Sequence, residues 1–244
     1  HANNQWLAIY QKGVAMIPAT TGNFNYIGHK SAQNNIIGTS CITSIQRSYD
    51  GTLWVGTDNE GIYQLSPDNT LKTHYAPTDK PKSVPAIILN VYEDSEHNLW
   101  FGSYNDGMGR LLAGSRQCVY QKDLVDAHGK SIQSVYDFAE DNEKRLWIAT
   151  LGKGLYYYDL KEKRTIYNPE ANKGLNRWIY CLHHSNDNQL YIGTSYGMYV
   201  LNLDKKFEIE MILPSRIILS IYEDKKGRIW AGGSDGLTAW NPQT

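Results

Sequence analysis

Asn98-Leu99-Trp100-Phe101-Gly102-Ser103-Tyr104-Asn105-Asp106-Gly107-Met108 decides the fold, because the chain repeats it. Thr52 to Ile62 and Arg145 to Leu155 have the same order: apolar, aromatic, apolar, small, Thr/Ser, a short polar loop, Gly, then a second apolar run. Leu190 to Met198 and Ile229 to Leu237 are shorter copies, and Trp6, Ala8, Gly13 and Val14 form a degenerate one. The aromatic anchors stand at 6, 54, 100, 147, 191 and 230, a spacing of 39 to 48 residues. That period signals an array, solenoid or propeller.

Aligning the units on the anchor exposes a strand upstream of it. Nine residues before the anchor stand Ile45, Val91, Phe138, Leu182 and Ile221; twelve before it stand Ile42, Ile88, Val135, Ile179 and Ile218. Two apolar positions three apart break strict alternation, so the reading predicts a β-bulge there. Between the two strands lie Gly, Asn and Asp turns such as Tyr49-Asp50-Gly51 and Asn186-Asp187-Asn188, residues that accept the positive φ of tight hairpins. A third strand follows the loop glycine, as at Gly154 to Tyr158. A more polar fourth comes at Leu71 to Tyr75, Gln117 to Gln121, Arg164 to Tyr167 and Phe207 to Met211. In the degenerate first unit, Trp6 to Tyr10, Val14 to Ile17 and Asn23 to Ile27 read as three strands.

Each unit is thus a four-stranded antiparallel meander. One such sheet cannot bury both faces, so neighbours must stack, and radial stacking gives an all-β propeller. A single propeller region is expected over 1–244, with units near 1–40, 41–86, 87–133, 134–177, 178–216 and 217–244. The first lacks its innermost strand and the last its outermost. A helical solenoid has a similar period, but runs such as Ile217 to Tyr222 between turn residues argue against it.

Seven Trp and eighteen Tyr suit pleated, half-buried surfaces. The net charge of −1, with no long basic run, disfavours nucleic acid as a partner. Cys41, Cys118 and Cys181 are odd in number and far apart, which fits small buried hydrophobes and leaves the redox compartment open. No apolar run approaches the roughly 20 residues needed to span a bilayer. No secretory leader is recognisable, and the start at His1 rather than Met leads us to expect a processed or excised piece of something longer.

The five internal copies resemble the two-component regulator propeller repeat, in which an apolar strand and an acidic turn precede Gly-x-Leu-Trp-(Val/Ile)-Gly-Thr, a short loop and Gly-(Leu/Ile)-Tyr. Ile221-Tyr222-Glu223-Asp224-Lys225-Lys226-Gly227-Arg228-Ile229-Trp230 carries it here, and Lys173 to Ile179 is similar to the family's way of entering a blade. The resemblance implies the periplasmic part of a hybrid two-component sensor histidine kinase of the Bacteroidetes type, sensing oligosaccharides. It further implies more repeats, a β-sandwich, a membrane segment and cytoplasmic kinase and regulator domains outside this chain. WD repeats are a poorer match, since no Gly-His and Trp-Asp pairing recurs, and the double glycine of kelch repeats occurs once, at Gly232-Gly233.

The periodic aromatics read as packing residues rather than sugar platforms. Function is expected where the repeats differ, in loops on a rigid scaffold. The loops after the anchor strands carry Asp58-Asn59-Glu60, Tyr104-Asn105-Asp106, Leu151-Gly152-Lys153, Ser195-Tyr196 and Ser234-Asp235. In a propeller they share a face with the connectors, which bring His29, Lys30, Lys80, Lys82, Asn176, Arg177 and Trp178. Amides, carboxylates and an exposed ring suit a sugar. Tyr104, Asn105, Asp106, Asn176, Arg177, Trp178 and Tyr196 are therefore the candidate ligand residues, against the plainer reading of solvated loops. Asp137, on a predicted innermost strand, is a further candidate that either meets a ligand in the channel or holds backbone amides.

No cofactor, metal or catalytic motif emerges. The adjacent His183 and His184 would point to opposite faces of a strand and cannot easily share an ion. A lyase-like enzyme using His74, His97, His183 or His184 as base, and a protein-binding scaffold, are the alternatives to a noncatalytic sensor. Two structural expectations complete the reading. Trp54, Trp100, Trp147, Tyr191 and Trp230 should lie mostly buried between blades. The piece should be a truncated arc prone to self-association, although six units could instead close into a small ring.

Overall fold

The computed structural model describes residues 5–9, 13–17, 25–29, 35–112 and 117–242. Lys30, Tyr10 and Asn23, named above, lie outside them. The described residues form six antiparallel sheets. The first is β1 (Gln5–Ile9), β2 (Gly13–Ile17) and β3 (Asn25–Ile27); the second is β4 (Cys41–Arg47), β5 (Leu53–Asp58), β6 (Ile62–Leu65) and β7 (Leu71–Tyr75). The third is β8 (Ile88–Glu93), β9 (Leu99–Ser103), β10 (Met108–Leu111) and β11 (Cys118–Tyr120). The fourth is β12 (Val135–Glu140), β13 (Arg145–Thr150), β14 (Gly154–Asp159) and β15 (Arg164–Tyr167). The fifth is β16 (Ile179–His184), β17 (Gln189–Thr194), β18 (Gly197–Asn202) and β19 (Glu208–Pro214), and the sixth is β20 (Ile218–Glu223), β21 (Ile229–Gly233) and β22 (Gly236–Trp240). Every sheet is a meander in chain order, the blade of a β-propeller. The fourth strand of the fifth blade runs to Pro214, past the predicted Met211.

Blades one to three form one compact unit, His1–Tyr120, and blades four to six a second, Gln121–Thr244. Within each unit, every adjacent pair of blades shares a core. In the first unit Ile27, Ile42, Val55 and Leu65 join blades one and two, and Ile62, Ile88, Val91 and Phe101 join blades two and three. In the second, Trp147, Leu155, Ile179, Leu182 and Ile192 join blades four and five, and Tyr191, Met198, Ile218 and Ile229 join five and six.

The predicted bulge is present in the innermost strand of all five internal blades, between Ile42/Ser44, Ile88/Asn90, Val135/Asp137, Ile179/Cys181 and Ile218/Ser220. The extra residue brings the positions nine and twelve before the anchor to one face, which is why both are apolar. It also explains the small residue two after the anchor. A Cβ on Gly56 would stand 2.8 Å from Ile88 Cγ2, and one on Gly193 would stand 2.8 Å from Ile218 Cγ2 and collide with Cys181 Sγ. The next blade's innermost isoleucine fills the space that the absent side chain leaves.

The anchors are fixed by a device in the preceding turn. Trp100, Trp147 and Trp230 each donate their indole N–H to an aspartate six residues earlier: Asp94 (2.7 Å), Asp141 (2.7 Å) and Asp224 (3.0 Å). The other carboxylate oxygen closes the turn by accepting the backbone N–H groups two and four residues on. In the fourth and sixth blades an arginine four residues on adds its Nε, Arg145 to Asp141 at 2.6 Å and Arg228 to Asp224 at 2.7 Å. Ser48 takes the aspartate's place under Trp54, at 2.9 Å. Trp100, Trp147 and Tyr191 are buried, whereas Trp54 and Trp230 are half-buried. The five anchors are thus mostly buried, as expected, with Trp54 and Trp230 the most open of them. Trp54 borders an open 170 Å³ cavity, and among the described residues no sheet follows the one that carries Trp230.

All three cysteines are free thiols. Cys118 and Cys181 are buried, and burial pushes the Cys118 thiol up to about 11.

Candidate functional site

Four of the loops after the anchor strands are held by a buried side-chain bond. The Thr or Ser three residues after the anchor donates to the carbonyl of the loop-ending glycine: Thr57 to Gly61 (2.8 Å), Ser103 to Gly107 (3.0 Å), Thr150 to Gly154 (2.5 Å) and Thr194 to Gly197 (2.9 Å). The loop backbones then pair with the connectors. Asn59 and Gly61 N–H groups donate to Ala86 O, at 3.0 and 3.1 Å. Gly152 and Gly154 donate to Arg177 O, at 2.8 and 3.3 Å, and Ser195 donates to Trp178 O at 3.0 Å. Loops and connectors thus share a face within each unit, as the sequence suggests.

The structure divides the sequence-predicted residues. Tyr104, Asn105 and Asp106 are exposed at the β9–β10 loop of the first unit, where Asp106 N–H is tied to Ser103 Oγ at 2.8 Å. Asn176, Arg177, Trp178 and Tyr196 gather in the second. Asn176 Oδ1 accepts Trp178 N–H (2.9 Å) and Ser195 Oγ–H (3.1 Å), fixing the connector to the β17–β18 loop. The Trp178 ring is 50% exposed, with Gly152 beneath it; a Cβ on that glycine would already be 3.6 Å from the indole. Tyr196 is 53% exposed on the neighbouring loop.

Asp137 lies apart from that group, on the bulge of β12. It holds backbone amides: Oδ2 accepts Leu182 N–H of the next blade at 2.7 Å and Oδ1 accepts Phe138 N–H at 2.8 Å. Ser44 performs the same bridging in the first unit, accepting Val91 N–H at 2.9 Å. Loss of hydration raises the Asp137 carboxyl from 3.8 to about 7, against the lowering effect of the two amides. A carboxyl whose folded pKa exceeds its unfolded value binds more protons in the fold between the two. Its stabilisation is therefore complete below about 4 and lost as pH rises through about 7. We expect the urea midpoint of the wild type to fall over that window relative to Asp137→Asn. A difference between the two proteins that does not change with pH would contradict this assignment.

A second feature of this face was not evident in the sequence. Between β11 and β12 the chain makes a small hairpin, closed by the Val125–Ser131 bridge and the Ile132 N–H to Leu124 O bond of 3.0 Å. Asp126 sits in its turn, Oδ1 accepting His128 N–H (2.9 Å) and Lys130 N–H (3.1 Å), while Oδ2 meets Lys153 Nζ at 2.8 Å. The Lys153 ammonium, then the amides, hold this carboxyl down at about 2. Hairpin and blade enclose a 280 Å³ cavity lined by Val125, Asp126, Ala127, His128, Lys153, Tyr156, Tyr167 and Arg177. Tyr156 is buried and Tyr167 is 41% exposed, their rings tilted at 5.0 Å. In the first unit a 350 Å³ cavity includes His74, Lys80 and Lys82.

The histidines are dispersed. His74 Nε2 donates to Glu60 O at 2.8 Å, and its ring stacks on Tyr63. His97 Nδ1 is 3.1 Å from Glu93. His183 reaches Glu223 of the next blade at 3.4 Å, whereas His184 turns back to Asn188 at 3.0 Å. Burial lowers the His183 pKa. Among the described residues no group of three or more His, Cys, Asp or Glu is placed to hold a metal.

Meander blades knit by a loop-and-connector face define a β-propeller. The two component regulator propeller family model matches residues 36–59, 84–105, 129–152 and 212–235, one stretch in each of four blades. The blade anchored by Tyr191 lies outside those stretches, and there Ser185 and Tyr191 replace the aspartate and tryptophan of its neighbours. Histidine kinase P4 of Formosa agariphila is 25% identical over 197 residues, covering 75% of this chain and 14% of that protein. The extracellular domain of the hybrid two component system BT4673 from B. thetaiotaomicron superposes with a TM-score of 0.70 at 18% identity, over 96% of this chain and 39% of that one. Virginiamycin B lyase from Staphylococcus aureus gives 0.69 at 16% identity, over 94% of this chain and 73% of that one, a likeness of fold alone. The chain therefore spans well under half of the receptor proteins it matches. Among the described residues no helix is long and apolar enough to cross a membrane.

Proposed function

We propose that this chain is a noncatalytic, ligand-sensing propeller segment in the periplasmic part of a hybrid two-component receptor, and that it responds to oligosaccharides. The observation carrying this reading is the half-exposed Trp178 ring, set on Gly152, with Asn176 tying its backbone to the loop that presents the exposed Tyr196. Exposed flat rings on a face that also carries amide groups match the apolar face and polar rim of a sugar. The matched repeats and the extracellular relatives support the receptor context, in which the kinase belongs to the parent protein. Thermal-shift screening against oligosaccharides tests the reading. A glycan at 100 times its Kd should stabilise the fold by about 2.7 kcal/mol. No shift with any glycan would count against it.

A protein-binding scaffold is the second reading. It is favoured by the sixth blade, where Leu219, Tyr222 and Leu237 are 56%, 64% and 68% exposed. Such a surface suits the remaining blades of a parent or a second copy of the chain.

A further inference from the structure

We propose that the 280 Å³ cavity between the 124–132 hairpin and the fourth blade is a subsite for an acidic sugar, a uronic acid residue whose carboxylate pairs with Arg177. This rests on the oligosaccharide reading and narrows it to a ligand class. Lys153 and Arg177 both line the cavity, and they are not equivalent. Lys153 is matched by Asp126 at 2.8 Å. Arg177 remains: among the described residues no carboxylate lies within ion-pair distance of its guanidinium, and none accepts a hydrogen bond from it. Its backbone, by contrast, is pinned, the carbonyl taking both Gly152 and Gly154 N–H groups. The guanidinium is thus an uncommitted fork of donors on an anchored backbone, which suits a bidentate carboxylate better than a lone hydroxyl.

The rest of the lining fits a sugar ring rather than a bare anion. Tyr167 offers a partly exposed aromatic face, and Val125 and Ala127 supply apolar wall. Asp126 already accepts three bonds. A carboxylate has about four acceptor positions, so one is left for a ring hydroxyl. The volume lies near the lower bound of about 300 Å³ for ligand pockets and suits one sugar residue. Trp178, next in sequence to Arg177 and resting on the adjacent Gly152, supplies a platform for the following residue of the chain. A neutral sugar would leave the guanidinium without a partner on closing the site, at a cost in affinity.

The test is calorimetric titration of the whole chain with digalacturonate, with neutral galactobiose and with sodium acetate. Wild type and the Arg177→Gln, Arg177→Lys and Tyr167→Ala variants would be compared. Arg177 makes its fold contacts through its carbonyl, so its variants should melt like wild type. The account expects digalacturonate to bind at least tenfold more tightly than galactobiose. Arg177→Gln should remove that preference, Arg177→Lys should retain part of it, and Tyr167→Ala should weaken both sugars. Equal binding of the acidic and neutral disaccharides overturns the proposal, as does acetate binding as tightly as the disaccharide. If neither disaccharide binds while other glycans shift the melting curve, the acidic subsite is overturned and oligosaccharide sensing stands. If no glycan acts at all, both fall.

Discussion

Trp147→Ala is expected to destabilise the second unit by about 3–5 kcal/mol, because truncation loses the transfer energy of a buried ring and leaves a cavity. Trp147 is fully buried at the junction of the fourth and fifth blades. Tyr157 packs beside it at 5.0 Å and Phe207 meets it edge-on at 5.7 Å. The Arg145 guanidinium lies 5.6 Å from the ring centroid, so a cation–π contact is lost as well. Urea unfolding followed by circular dichroism measures the effect. Trp230→Ala should cost distinctly less, since that ring is already partly in water. Equal losses at the two positions would contradict the packing described.

Asp141→Ala should have an effect of similar size, about 3–5 kcal/mol, by stripping a buried cation of its partner. The Asp141 side chain is wholly buried and Arg145 is 10% exposed. The carboxylate serves four donors: the Glu143 and Arg145 amides, Arg145 Nε and the Trp147 indole. Alanine leaves all four without their acceptor. Glu143 still reaches Arg145 at 3.0 Å but is 65% exposed and cannot replace the buried oxygens. Asp141→Asn keeps one acceptor and should lose less. By comparison, Ser48→Ala under the half-buried Trp54 removes a single neutral bond, worth about 1 kcal/mol. Losses of equal size at Ser48 and Asp141 would show that the turn carboxylate is not what fixes the anchor.

The blade architecture was legible because repetition exposes what one copy hides. Apolar residues three apart announced the bulge, and the bulge is present in every internal blade. The aspartate–indole bond was not read from the sequence: Asp94, Asp141 and Asp224 each stand six residues before a tryptophan, but only the turn that folds the two together shows the contact. Exposure at the ends of the array was harder to foresee. Trp230 has the same local sequence pattern as Trp147, but among the described residues no later sheet packs over it.

The candidate site was half legible. Asn176, Arg177, Trp178 and Tyr196 stand out as departures from the repeat, and the structure brings them to one face. Asp137 departs as well, yet its carboxylate is occupied in joining two blades. The 124–132 hairpin escaped notice because it is an insertion outside the period. Its decisive contact, Asp126 to Lys153, joins residues 27 apart. The one available hint was the length of the connector around Asp126-Ala127-His128-Gly129, whose Asp and Gly suit a turn.

The claim that this chain senses sugar through the face around Trp178 is tested most directly by repeating the oligosaccharide thermal-shift screen on wild type and Trp178→Ala side by side. Trp178 is half in water and covers a glycine, so its removal should leave the unliganded melting temperature close to wild type. The account predicts that a glycan raises the wild-type melting temperature and that Trp178→Ala, folded as before, loses most of that rise. A glycan shift of full size in Trp178→Ala would contradict it.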